Sequence, residues 1–166
     1  MQAGYLSDVQ TAPWWAANAT LPAGNNARTW AFYIDIPADY SFSNLYFIVS
    51  AGSSARGVFQ AALYDRDNPH LPVAATPRDS KVLTFTGLQG LPFDAPVPAR
   101  STPWTATVAF LMHDAADTAL VGAQSDMLAD TSLPGLSFYS GQDFLPIHFD
   151  LVGFTGDVRV PIVALS

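Results

Sequence analysis

Trp30-Ala-Phe-Tyr-Ile-Asp-Ile36 decides the fold. Trp30, Phe32, Ile34 and Ile36 share one face, and Ala31, Tyr33 and Asp35 share the other. An apolar period of two with one wet side is the pattern of a half-buried β-strand. Working outward, Pro37-Ala-Asp39 turns the chain into a second strand, Asn44 to Ala51, with Leu45, Phe47 and Val49 inward. Gly52-Ser-Ser54 is a turn, and Val58 to Tyr64 is a third strand with Asp65 to Pro72 as its loop. A short apolar segment resumes at Val73 to Ala75. Lys81 to Thr86 reads as a further strand, with Leu83 and Phe85 on one face.

Gly87 to Pro103 is rich in Gly and Pro and reads as a long loop or weak edge strand. Trp104 to Met112 alternates cleanly, with Trp104, Ala106, Val108, Phe110 and Met112 on one face. Asp114-Ala-Ala-Asp117 reads as a hairpin turn into Ala119 to Val121. Gly122 to Gly156 is irregular apart from a short strand near Leu136 to Tyr139. The chain closes on Val158 to Leu165, where Pro161 implies an edge or a bulge. About seven or eight such strands predict an all-β antiparallel sandwich of jelly-roll type. Residues 1–27 lack a sustained period and are expected to form an irregular N-terminal arm, leaving residues 28–166 as one sandwich domain.

Composition agrees. All 14 acidic residues are Asp, and Lys81 is the only lysine, so two strong helix formers are nearly missing. Thirteen Pro and 11 Gly supply chain reversals, and the 13% aromatic content suits half-buried strands. The formal net charge of −7 and six scattered arginines argue against a nucleic-acid partner and against an anionic membrane surface. No apolar run reaches the ~18 residues of a membrane span. Zero Cys excludes disulfides and thiolate chemistry. The first basic side chain is Arg28, so no secretory signal is expected.

Chemistry-bearing residues are dispersed. Asp65, Asp67 and Asn68 could offer oxygens to calcium, but a full site needs six to eight, and an Asx-type turn explains them better. His70, His113 and His148 have no metal-ligand spacing. His148-Phe-Asp150 has no Gly-x-Ser-x-Gly elbow to serve, and catalysis is not expected. No metal or other cofactor is expected either. Asn18-Ala-Thr20 matches the short N-glycosylation pattern. Trp14 and Trp15 either fold back over the core edge or anchor the arm in a neighbouring subunit or particle surface. Tyr33, Tyr46, Tyr64 and Tyr139 are candidates for outward-facing rings that would stack on glycans or on another subunit. Ile48 and Tyr46 on one strand, and Ala109 and Leu111 on another, make second faces apolar, which calls for cover by loops or by another chain.

Strands at Arg28 to Ile36 and Asn44 to Ala51, then Ala62-Leu-Tyr-Asp65 with the turn Asp65-Arg-Asp-Asn-Pro-His-Leu71, resemble a group of phage virion modules. These are jelly-roll domains of head fibres, tail fibres and capsid surfaces. The resemblance runs over roughly residues 28–125, with Lys81 to Thr86, Ala95 to Pro103 and Trp104 to Met112 in the places of its later elements. His70 stands where the group often has Gly, and Ser101-Thr-Pro-Trp104 replaces its usual lead-in. The resemblance implies a non-enzymatic bacteriophage virion protein that decorates the capsid or forms part of a head or tail fibre. Its implied partners are other virion proteins, major capsid or fibre subunits, in a homotrimer, with host-surface glycans as a further contact. A stand-alone carbohydrate-binding module is the alternative reading, and a glycan-processing enzyme a third.

Overall fold

The computed structural model describes residues 9–11, 17, 19–22, 28–52, 57–79, 81–113, 118–124, 137–140, 145, 155–156 and 159–166. Among the described residues thirteen strands follow in chain order: β1 (Val9–Gln10), β2 (Ala19–Pro22), β3 (Arg28–Ile36), β4 (Phe42–Ala51), β5 (Val58–Asp65), β6 (Asn68–Ala75) and β7 (Gly87–Val97), then β8 (Trp104–His113), β9 (Ala119–Gln124), β10 (Ser137–Ser140), β11 (Thr155–Gly156), β12 (Arg159–Pro161) and β13 (Val163–Leu165).

Four antiparallel ladders are nested one inside the next: β5 with β6, β4 with β7, β3 with β8, and β2 with β9. The chain from 19 to 124 is thus one long hairpin. Rolling it up adds the pairings β5 with β8 and β4 with β9, so the two sheets read β3-β8-β5-β6 and β2-β9-β4-β7. That nesting is the jelly roll. Added strands extend it: β10 and β11 lie beyond β3, while β13 pairs with β4, β1 with β13, and β12 with β9.

The inward faces are those the alternation predicts. Trp30, Phe32, Ile34, Ile36, Leu45, Phe47, Val49, Ala106, Val108, Phe110 and Met112 are all buried in the main core. At its centre, Phe47 from one sheet stacks on Phe59 from the other, with ring centroids 4.5 Å apart. Phe110 meets Phe59 at 5.0 Å and Phe32 at 5.2 Å, both edge-to-face. Such ring pairs add about 0.5–1.5 kcal/mol beyond the area they bury, so this cluster clamps sheet to sheet.

Several expectations are corrected. Lys81 to Thr86 is not a strand. The Asp79 carboxylate accepts the N–H groups of Lys81 and Val82 at 2.6 and 2.7 Å, and the chain winds into a single 3-10 turn over Val82–Thr84. Gly87 to Val97 is a full strand along β4, one edge of its sheet. The loop expected after Asp65 closes within two residues, and β6 pairs back along β5. Asp114 to Asp117 lies outside the described residues, but it does not join a hairpin: β8 and β9 belong to different sheets. Inside the stretch expected to be an irregular arm, β1 and β2 are laddered, and β2 is the first strand of the roll.

Pro161 acts as anticipated. The closing strand is interrupted at Ile162, leaving β12 on β9 and β13 on β4. Thr11 spans the break, its hydroxyl donating to the Pro161 carbonyl at 2.7 Å and accepting from the Val163 N–H at 2.9 Å.

Candidate interaction surfaces

Three connections meet at one end of the roll. In the β3–β8 ladder Asp35 faces Thr105 and Ile36 faces Trp104. The Thr105 hydroxyl donates to the Asp35 carboxylate at 2.6 Å, and the Thr105 carbonyl accepts the Arg66 N–H at 3.1 Å. Arg100, from the β7–β8 connection, donates to the Asp65 carboxylate at 2.5 Å and lies 3.8 Å above the Trp104 ring. The Arg100 carbonyl accepts the N–H of Asp39 at 2.7 Å, and Asp39 turns the β3–β4 connection in the left-handed region at φ 59°. Arg66 stacks over Tyr33 at 4.7 Å. A cleft of about 410 Å³ opens here, lined by Asp35, Ile36, Pro37, Pro103, Trp104 and Thr105.

Electrostatics at this end are those of a tie. Burial pushes the Asp65 carboxyl up, but the hydrogen bond and charge of Arg100 and the N–H groups of Asp67 and Asn68 outweigh it and hold it below its ordinary value. One Asp65 oxygen takes the Asp67 N–H at 3.0 Å and the other takes Arg100. One oxygen is thus used inside the turn, as the Asx reading expects, and the other ties the turn to the β7–β8 connection. A calcium ion here would have to displace a guanidinium. Among the described residues no group of three or more His, Cys, Asp or Glu is placed to hold a metal.

The sequence candidates separate. Tyr33 is half-buried on the outer face of β3, beneath Arg66. Tyr46 is half-buried on the outer face of β4, its ring lying against Gly90 so closely that a Cβ there would sit 2.8 Å from it. Tyr64 is a correction: it is wholly buried and cannot meet a glycan. Tyr139 lies in β10 beside Thr29, which fixes only its backbone position. Trp14 and Trp15, and His148 with Asp150, lie outside the described residues.

Tyr64 is buried because the outer face of its own sheet is covered. Ala31, Ala109 and Ala62 follow one another across β3, β8 and β5, forming an alanine trough. Leu145, from the later part of the chain, packs into it together with Tyr64. The apolar second face of β8 is thus covered from within the chain, and Ala109 and Leu111 are fully buried. The desolvated Tyr64 hydroxyl has its pKa pushed up to about 12. On the other sheet Ile48 and Val121 pack with Ala123 and Ile162.

A second surface lies on the flank where both sheets end. Among the described residues β6 is an edge of one sheet and β7 an edge of the other. Leu71 and Val73 on β6, Leu88 on β7 and Phe85 just before it are exposed, at 67%, 36%, 54% and 64%. Neither Asn68 to Ala75 nor Phe85 to Phe93 contains Asp, Lys or Arg. Edge strands are usually guarded by charge or by proline. This flank carries proline at Pro69, Pro72, Pro92 and Pro96, and its one charged strand residue is Asp94, in the second half of β7. The sequence reading missed it because it placed Phe85 on a strand face with Leu83 and Leu71 in a loop. The signal that could have found it was the uncharged run itself.

No family model matches the chain. No curated protein matches it in sequence. Among solved structures it is similar to one described as the structure of infectious bursal disease virus, Gx strain, with TM-score 0.33 and 13% identity. The match covers 89% of this chain and 35% of that chain, so this chain spans about a third of its length.

Proposed function

We propose that this protein is a structural module of a virus particle, bacteriophage by resemblance, that decorates a capsid or forms part of a fibre. The observation that carries the reading is the apolar flank, where Leu71, Phe85 and Leu88 stand exposed on two adjoining sheet edges. A chain of net charge −7 that keeps β6 and the first half of β7 free of Asp, Lys and Arg, with large apolar side chains exposed on them, is shaped to be covered by protein there. The order of strands around Leu63-Tyr-Asp65, which resembles virion jelly rolls, supplies the setting. The test is immunogold labelling of purified particles from cultures producing the epitope-tagged chain. Regular labelling of intact particles is expected, whereas a chain recovered only free of particles would sink the proposal.

The polar end supports a second role for the same module, contact with host glycans. Tyr33, Trp104, the exposed Asp35 carboxylate and Thr105 together offer rings and hydrogen-bonding oxygens beside an open cleft. Glycan-array binding that Tyr33→Ala with Asp35→Ala abolishes is the expected result, and a blank array counts against this role.

A further inference from the structure

The occupant of the β6–β7 flank follows from charge and area. We infer that this flank is the contact between copies of this chain, laid flank to flank, an inference that rests on the proposal that the flank is covered by protein. Two copies each carrying −7 repel one another, and they can close only through a surface that brings no further like charge into contact. The flank offers such a surface over β6 and the first half of β7: β6 and the span from Phe85 to Phe93 hold none of the chain's Asp, Lys or Arg, and Asp94 lies beyond it on β7.

Area points the same way. With ~200 Å² for a fully exposed large apolar residue, the four exposed side chains present roughly 400 Å² of apolar surface. A standard interface takes about 800 Å² from each partner, a little over half of it non-polar. A self-contact also uses the same patch on each copy and so needs no complementary charge on a partner. The opposite side of the roll differs, because β10 and β11 continue the sheet beyond β3 there. Pro69 and Pro72 interrupt the donors of β6, so the contact is made by side chains rather than by a continuous intermolecular sheet.

Sedimentation velocity on the whole chain, from low-micromolar to near-millimolar concentration, reads the association directly. The native chain is expected to sediment as a multiple of its monomer mass. Leu71→Asp and Leu88→Asp, both at exposed positions, are each expected to weaken association at least tenfold and leave the thermal melt at low concentration unchanged. The chain has no Cys. Leu88→Cys is therefore expected to give a disulfide-linked pair under mild oxidation, and Ser41→Cys, at the other end of the roll, none.

A native chain that stays monomeric throughout, or whose association ignores both Asp substitutions, overturns the inference. If it is monomeric while both substitutions still abolish particle labelling, the virion reading stands and another protein occupies the flank. If it self-associates through the flank but never labels particles, the virion reading fails and this inference holds.

Discussion

Tyr64 provides a sharp test of how the outer face of the β3-β8-β5-β6 sheet is closed. Its hydroxyl ionises at about 12 in the folded chain against an ordinary 10, because burial disfavours the phenolate. A folded pKa above the unfolded one gives stability that is complete below the unfolded value and is lost as pH rises through the folded one. The window is therefore pH 10 to 12. At pH 11 the unfolded chain has lost about nine-tenths of this proton and the folded chain about one-tenth, a difference of about 1.4 kcal/mol relative to pH 8. The perturbation is Tyr64→Phe, which removes this ionisation and leaves the other five tyrosines to cancel in the comparison. Urea unfolding of both proteins at pH 8 and pH 11 supplies the numbers. The stability advantage of the native chain over Tyr64→Phe, whatever it is at pH 8, is expected to shrink by about 1.4 kcal/mol at pH 11. A difference that stays flat over that range would refute the reasoning, since it would mean the hydroxyl meets water and the alanine trough is open beside it.

Other outcomes follow from the same geometry. Phe110→Ala removes a fully buried ring that touches Phe32, Phe47 and Phe59 and is expected to cost about 3–5 kcal/mol in denaturant unfolding with little change in m-value. Gly122→Ala places a Cβ 2.7 Å from the Val160 carbonyl oxygen and 2.2 Å from a Leu21 methyl, a collision the backbone cannot relieve cheaply. A loss of about 1–3 kcal/mol is expected by thermal unfolding. Asp65→Asn breaks the tie to Arg100 and is expected to cost about 1 kcal/mol at neutral pH. Because the folded carboxyl is held low, that cost should be complete above the ordinary carboxylate range and fade as pH falls from there through the lower folded value, as measured by urea midpoints.

What the sequence made legible was local. The strands at Trp30 to Ile36, Asn44 to Ala51 and Trp104 to Met112 alternate, and their inward residues are buried apart from the half-buried Trp104, although the outward Ala31, Thr107, Ala109 and Leu111 are buried as well. The Asx turn at Asp65 could be read from its residue types, and its carboxylate does accept the Asp67 N–H. What escaped was set by distant partners. β7 is a strand because β4 lies beside it, although Gly87, Gly90, Pro92 and Pro96 blur its period. Asp114 to Asp117 signals a reversal, but nothing local says that the chain changes sheet there. β2 is too short, at four residues, to show a period. Tyr64 alternates outward correctly, yet the face it joins is covered by Leu145, some eighty positions away. The exposed flank was hidden for a related reason: the Asp79 cap turns the chain at Val82 and leaves Phe85 outside.

The central claim is that the β6–β7 flank is where this module meets its neighbours. Hydrogen–deuterium exchange, compared between the assembled state and the dilute monomer, reads that surface residue by residue. Slowed exchange on assembly is expected at Asn68 to Ala75 and Gly87 to Leu91, with the turn at Asp39 and Arg66 unchanged. Protection confined to that polar end, with β6 and β7 exchanging as in the monomer, would contradict the account.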